Sequence, residues 1–459
     1  MTDNRDNENK RLKAGNMRLP KAVEIALRKI MKANGQAYLI GGALRDWMLN
    51  KSVTDYDIAS SLLPDQIEEV FSTESVRFGG KRFGTVTVNI DNVLIEITTF
   101  RKESDYSDSR HPDQVAFVSD IHKDLARRDF TINAMAYNPY ESSGLIDPFM
   151  GREDLQNRLI RAVGNPVERF TEDPLRIMRG IRFSAQLNFE IHNETRKAMK
   201  ACCPLLQKVS AERLRSEWDS LLLAPHPDKG LLLLQETGAL TFLLYVRKRM
   251  TKDGLKPHLI LNKQSAQMIK RITPNLVYRL STLFSMLYPE DFADAGRLDG
   301  IRNIMIQLRY DRKTINHIPK MLQAYFAISH MDITSFSIRK LIGGMGMQDF
   351  DHCLSWYREI SKIKQDLTGN RRAEKALELF RDIVRQKDPV FFYQLSINGK
   401  DVLNAGLGQQ DPKIVGEALN LAYEWVLEHP SRNQPDCLIP MLKKHYSSLI
   451  QSTLVREEK

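Results

Sequence analysis

An α+β fold is predicted for this chain, with a small mixed sheet in the first third and helices almost to the end. Three observations predict it. Residues 38–58 read as strand, tight glycine turn, helix and second strand, and residues 83–100 read as a β-hairpin. From about residue 150 the apolar spacing is helical nearly throughout, with no further βαβ alternation and no internal repeat. At 459 residues the chain is too long for one core, so several domains are expected.

The elements follow in order. Residues 1–19 are polar and lack the apolar core of a leader, which predicts a disordered lead-in. Residues 20–33 form a helix opened by Pro20, with Val23, Ala26, Leu27 and Ile30 on one stripe. Tyr38 to Ile40 is a short apolar strand, Gly41-Gly42 its turn, and Ala43 to Leu49 a helix whose first N–H groups face that turn and suit a phosphate. The next strand carries Asp55 and Asp57. At a spacing of two, their carboxylates leave the same face. Acids held side by side repel unless cations lie between them, which points to Mg²⁺. Two such ions roughly 3.5–4 Å apart would activate an attacking hydroxyl and steady a leaving pyrophosphate. An isolated Asp-x-Asp is usually a turn, and an isolated Gly-Gly is too. The order of strand, glycines, helix and acidic strand carries the signal.

Pro64 starts a short helix bearing Ile67, Val70 and Phe71. Phe83–Ile90 and Val93–Phe100 pair across Asp91-Asn92, which tolerate positive φ. Glu96 shares a strand face with Leu94 and Thr98 and is the candidate third carboxylate. Residues 101–126 are charged, contain Pro112 and show little periodicity, so a long mobile loop is expected. Arg101, Asp105 and Arg110 are its candidate levers. Strand-like residues return at Phe130 to Tyr137.

Composition narrows the class. A net charge of +10 favours a polyanionic partner, and no apolar run approaches a membrane span. The four cysteines, Cys202, Cys203, Cys353 and Cys437, match no zinc spacing and suit a reducing cytoplasm. No His-Asp dipeptide occurs, which argues against an appended metal-dependent phosphohydrolase domain. Residues 247–271 hold eight Lys/Arg against Asp253, and Lys248, Arg249 and Lys252 there are the candidate RNA contacts.

Two further runs carry chemistry. Arg127-Arg128-Asp129-Phe130-Thr131-Ile132-Asn133-Ala134 offers paired guanidiniums for phosphate and a carboxylate for a ribose hydroxyl. In Glu172-Asp173-Pro174-Leu175-Arg176, Asp173 is a natural helix cap, but it also lies three residues from Arg176. An acceptor beside a donor matches the pairing edges of cytosine and adenine, and leaves unpaired groups against uracil and guanine. Side chains would then do the work of a template.

Together Gly41-Gly42-x-x-Arg45-Asp46, Asp55-x-Asp57, the Arg127–Ala134 run, Glu172-Asp173-x-x-Arg176 and Ala211-Glu212-Arg213-Leu214 resemble the bacterial-type tRNA nucleotidyltransferases. These CCA-adding enzymes share a superfamily with bacterial poly(A) polymerases. The resemblance covers roughly residues 36–225. It implies a polymerase-β-like nucleotidyltransferase head (20–150), then an all-α neck (151–225), body (226–370) and tail (371–459), the tail binding tRNA. It implies Asp55 and Asp57 as Mg²⁺ ligands, and Glu96, from its strand face, is the candidate catalytic carboxylate beside them. Its nucleotide site would draw on Gly41, Gly42, Arg45, Arg128, Asp129, Asn133, Asp173, Arg176, Arg179 and Arg182. Arg128 and Asp129 would lie near sugar and phosphates, with Asp173 and Arg176 reading the base. The implied reaction is template-independent addition of C, C and A to tRNA 3′ ends from CTP and ATP, in the cytoplasm.

The pattern is not uniform. Lys81-Arg82-Phe83 is reminiscent of poly(A) polymerases, whereas Gly84-Thr85-Val86-Thr87-Val88 looks more like the CCA-adding group. An A-adding enzyme and a poly(A) polymerase are the alternatives within the class. A non-catalytic tRNA-binding protein is the alternative outside it, and the intact acid pair speaks against that.

Overall fold

A computed structural model of the chain describes residues 19–457, apart from 54, 81–83, 105–113, 143, 245–260, 288–294 and 410. The described chain divides into two compact units. The first comprises the described residues of 1–255, 260–270 and 307–309. The second comprises the described residues of 271–306 and 310–459.

The first unit is built on a seven-stranded mixed sheet of order β3-β4-β5-β2-β1-β8-β9. Its strands are β1 (Ala37–Ile40), β2 (Tyr56–Ser60), β3 (Ser75–Gly80), β4 (Thr85–Ile90), β5 (Val93–Thr99), β8 (Ala136–Tyr137) and β9 (Leu145–Ile146). β1 is buried at every position and lies between β2 and β8, both antiparallel to it. β2 pairs β5 in parallel. The β4–β5 hairpin closes on Asp91 and Asn92, at φ +51° and +64°. Both central residues of such a turn need positive φ, which matches the right-handed twist of the strands.

Alternation sorts the faces of the sheet. Val86, Val88 and Ile90 of β4 and Ile95 and Ile97 of β5 are buried. Over β4 and β5 packs α3 (Pro64–Val70), and over β1 and β2 packs α1 (Lys21–Lys32). Helix α1 turns Val23, Ala26, Leu27 and Ile30 inward, as its spacing requires. Helix α2 (Gly41–Met48) leaves β1 directly and takes both glycines into its first turn, rather than beginning at Ala43. A second buried cluster unites Tyr38, Ile40, Ala59, Phe100 and Ala136 with Ile121 and Leu125 of α4 (Ile121–Ala126).

Where it is described, the long loop expected over 101–126 is regular structure. Arg101–Ser104 (β6) and Gln114–Phe117 (β7) pair as an antiparallel two-stranded sheet, and α4 follows, capped by Asp120. Backbone pairing needs no apolar periodicity when a hairpin stands at the rim of a domain, so composition did not announce it. The expected levers Asp105 and Arg110 lie outside the described residues, as do Lys81, Arg82 and Phe83. Phe130–Tyr137 is also not a single strand. It is a 3₁₀ turn at Thr131–Asn133 followed by the two residues of β8.

Helices dominate thereafter: α5 (Gly151–Gln156), α6 (Pro166–Glu172), α7 (Leu175–Leu187), α8 (Asn193–Cys202), α9 (Ala211–Leu223), α10 (Pro227–Thr237), α11 (Ala239–Leu244) and α12 (Lys263–Arg271). Helices α9 and α10 pack on α7, the helix that leads out of the Glu172–Arg176 run. The short β10 (Leu159–Ile160) and β11 (Glu190–Ile191) pair in parallel beside them.

The second unit is helical throughout its described residues. It holds α13 (Leu276–Leu287), α14 (Ala295–Gln307), α15 (Arg312–His330), α16 (Ser335–Met345), α17 (Met347–Lys364), α18 (Leu367–Gln386), α19 (Gly399–Asn404), α20 (Pro412–Glu428) and α21 (Pro435–Glu457). A buried pair, Arg339 Nε to Asp388 Oδ2 at 2.7 Å, is completed by Arg339 Nη1 donating to the Leu427 carbonyl. Ile397, Val402, Ala418, Ala422, Val426, Leu438 and Leu442 form the core around α20. No described helix is long and apolar enough to cross a membrane.

Candidate active site

The site begins where β1 turns into α2. Gly41 stands at φ +66°, a conformation glycine reaches without a Cβ penalty. A Cβ there would lie 3.3 Å from Arg128 Nη1 and 3.5 Å from Asp57 Oδ2, so the bare backbone leaves room for both groups. Asp57 and Glu96 are register partners in the parallel β2–β5 pair, and therefore project from one face. Asp55 precedes β2 and is exposed. Burial, with Glu96 and Asp55 adding repulsion and Arg128 only partly offsetting it, raises the Asp57 carboxyl to about 6.

A half-buried carboxyl with like charges beside it makes a place where a divalent cation would relieve the repulsion. Asp55, Asp57 and Glu96 supply only oxygen donors, which suits a hard ion. The residues fit such a cation.

Arg128 also lines a cavity of about 320 Å³, with Arg101, Arg127, Asp129, Asp173, Leu175, Arg176, Arg179 and Arg213. Six arginines against two aspartates make this a receptacle for an anion. Buried Asp124 holds one wall: its Oδ1 accepts from Arg127 Nη2 at 2.8 Å and its Oδ2 from Arg128 Nη2 at 3.0 Å. It stays charged despite its burial, because the two guanidiniums draw its carboxyl below the ordinary range. Arg128 Nε and Arg213 Nη1 are buried without a hydrogen-bond partner, so donors remain for a ligand.

Asp129 forms the next wall. Its Oδ1 accepts from Phe130 N at 2.8 Å and Asn133 Nδ2 at 3.1 Å, and its Oδ2 from Arg179 Nε at 2.9 Å. Burial opposes the charge, but Arg179, Asn133 and Arg176 together outweigh it and the carboxyl falls to about 2. Behind Asn133 stands Arg45, whose Nη1 donates to Asn133 Oδ1 at 2.7 Å. Arg45, Arg179 and Arg182 lie over the Phe183 ring at 5.0, 5.4 and 4.2 Å. Cations over one aromatic ring, braced by the Arg182–Glu217 ion pair, keep this layer fixed.

Asp173 and Arg176 both line the cavity but do not bond each other. Asp173 has extended backbone at the junction of α6 and α7, where its Oδ1 accepts from Leu175 N at 3.1 Å. Its Oδ2 accepts from Arg213 Nη2 at 2.8 Å. Arg176 turns back to Glu172 Oε2 at 2.9 Å and to the Arg127 carbonyl at 3.0 Å. The helix-capping role of Asp173 and its exposure to the cavity therefore coexist.

Residues 37–161 match the family described as Poly A polymerase head domain. Residues 188–247 match the family described as a probable RNA and SrmB-binding site of polymerase A. The CCA-adding enzyme of Streptococcus gordonii is 50% identical over 218 residues, 47% of this chain and 53% of that relative. This match thus spans about half the length of the curated relative. The CCA-adding enzyme of Pediococcus pentosaceus is 33% identical over 418 residues, which is 91% of this chain and 96% of that one. The chain belongs to the CCA-adding enzyme family. A crystal structure of the Bacillus stearothermophilus CCA-adding enzyme in complex with CTP superposes with a TM-score of 0.71 at 26% identity, over 95% of this chain and all of that one.

Within that family frame, the expected site residues fall into three groups. Arg128, Asp129, Asp173, Arg176 and Arg179 line the cavity. Asp57, Glu96, Asp55, Gly41 and Gly42 gather at the sheet and the start of α2, where Arg128 reaches both places. Arg45, Asn133 and Arg182 are not on the cavity wall; they brace Asp129 and Phe183 from behind. Lys248, Arg249 and Lys252 lie outside the described residues. Sequence reasoning missed Asp124, although its spacing of three and four from Arg127 and Arg128 could have marked it. It also gave no role to Arg213 or Glu217, whose partners are distant in sequence.

Proposed function

We propose that this protein adds C, C and A in turn to the 3′ end of tRNA, from CTP and ATP and without a nucleic-acid template, releasing pyrophosphate. The observation that supports this reading best is the presence of Asp173 and Arg176 on the wall of one arginine-rich cavity. The carboxylate accepts from the exocyclic amino group of cytosine or adenine, and the guanidinium donates to the adjacent ring nitrogen. Uracil and guanine reverse that pattern and leave buried groups unpaired.

The arginines take the triphosphate. Arg128 lies between cavity and sheet and orients the α-phosphate toward Asp57, Asp55 and Glu96. The 3′-hydroxyl of the RNA attacks the α-phosphorus in line, and pyrophosphate leaves into the guanidinium-lined end. Asp55 and Asp57 would hold Mg²⁺, the hard ion their oxygen donors suit, with Glu96 beside them. When bound, it supplies positive charge at the reacting oxygens. Residues 371–459 engage the tRNA body, and the reaction belongs to the cytoplasm.

The test is nucleotide choice. For CTP against UTP, the wild type should favour CTP by about 10⁴ in kcat/KM, and Arg176→Ala should lose about a hundredfold or more of that preference. Being a ratio, it is insensitive to the folded fraction. An unaltered preference with a lowered Tm would reduce Arg176 to a structural brace.

A further inference from the structure

Away from the cavity, the second unit brings a different donor set together. His317 on α15, and Asp349 and His352 on α17, have ligand atoms that all lie within 4.8 Å of one another. We propose that these three residues bind one divalent cation of the zinc class and so staple α15 to α17.

Asp349 and His352 are three residues apart and share a helical face. His317 comes from the helix packed against it. His317 Nδ1 is 3.1 Å from Asp349 Oδ2, yet this buried nitrogen makes no well-formed hydrogen bond. A lone ion pair would be expected to align its donor. Here the nitrogen is left without a hydrogen bond, beside two other ligand atoms within 4.8 Å. The His352 ring stands edge-on to that of His317, with centroids 6.5 Å apart, and it is exposed.

Donor chemistry selects the ion. Imidazole suits Zn²⁺, Ni²⁺ and Co²⁺, whereas Mg²⁺ prefers oxygen. Tetrahedral Zn²⁺ with bonds of about 2.0–2.1 Å sets its ligands roughly 3.3 Å apart, so small side-chain rotations close the site. Three protein ligands leave a fourth position for water on the exposed His352 side. The all-oxygen set of Asp55, Asp57 and Glu96 does not compete for such an ion when Mg²⁺ is abundant.

The experiment titrates ZnCl₂ into the chelator-treated full chain in millimolar MgCl₂, by calorimetry, and repeats it with CoCl₂ to record visible absorption. One equivalent of Zn²⁺ should bind and raise Tm. His352→Ala should weaken binding at least tenfold and remove the Co²⁺ absorption bands. His317→Gln should weaken binding likewise, and the Asp55→Ala/Asp57→Ala double variant should bind as wild type does. The proposal is overturned if Zn²⁺ does not bind, if His352→Ala and His317→Gln bind it unchanged, or if binding is lost only with Asp55 and Asp57. In the first two outcomes His317–Asp349 is only an ion pair, and in the third the ion belongs to the carboxylate site.

Discussion

Asp129 is charged although buried, and the cavity wall depends on that charge. Its carboxyl sits at about 2 in the folded chain against an ordinary 3.8, and the shift corresponds to roughly 2 kcal/mol. A lowered folded value contributes stability that is complete above the unfolded value and is lost as pH falls through about 2. Asp129→Asn should therefore cost about 2 kcal/mol at pH 6, with most of that gap closed near pH 2. Urea unfolding of both proteins at the two pH values measures it, and a gap of constant size would refute the assignment. A second outcome concerns Asp55 and Asp57. Replacing either by alanine should abolish nucleotide transfer while tRNA binding survives, because losing a negative charge cannot weaken attraction to a polyanion. Transfer at wild-type rate in either variant, measured with labelled CTP, would refute their role. Both acids were singled out by a spacing of two. The ties from Asp129 to Arg179 and from Asp173 to Arg213 span 50 and 40 residues, and nothing local in the sequence announces them.

At the scale of elements, the proposed change from C to A is assigned to the β6–β7 hairpin. Its first residue, Arg101, lines the cavity, and the Arg101 backbone N–H donates to Asp124 Oδ1 at 3.3 Å. Asp124 in turn holds Arg127 and Arg128, so the foot of the hairpin is tied to the anion-binding wall. At its other strand, Phe117 closes over Gly84, where an added Cβ would meet the ring at 2.7 Å. The hairpin is thus anchored at both strands, and residues 105–113 join those strands. Shortening that segment should leave C addition intact and slow the final A by at least about tenfold, the scale of a gating step. Gel-resolved extension of a tRNA ending in CC measures it, and A addition at full rate would make the segment a mere connector. The β4–β5 hairpin was legible because Asp91-Asn92 and the alternating valines both pointed to it. The β6–β7 hairpin was not, because Arg101-Lys102-Glu103-Ser104 offers no apolar alternation and periodicity had nothing to register.

For the whole molecule, charge is the quantity that reaches furthest. A net +10 predicts tRNA affinity that falls linearly in log K against log salt. Neutralising Lys248, Arg249 and Lys252 should flatten that slope by about 0.7–0.9 for each phosphate that no longer meets a positive charge. Filter binding between low and moderate salt reads it, and an unchanged slope would return these residues to a solvated face. Legibility follows the same division. In the first unit the sequence singled out individual residues, because metal, phosphate and base chemistry each demand particular side chains at particular spacings, and the structure brings Arg128, Asp129, Asp173, Arg176 and Arg179 to one cavity. The second unit was readable only as helices, because packing of apolar faces accepts many sequences. The His317, Asp349 and His352 cluster draws on two helices whose positions no local pattern fixes. The central claim is that one pocket, without a template, first accepts C and then A. It is tested most directly by sequencing the products formed by the purified chain from a tRNA lacking all three terminal nucleotides, with all four triphosphates present. The account predicts addition of C, C and A, in that order, followed by a stop. Addition of A alone, and only to tRNA already ending in CC, or continued extension with A on unrelated RNA, would contradict it.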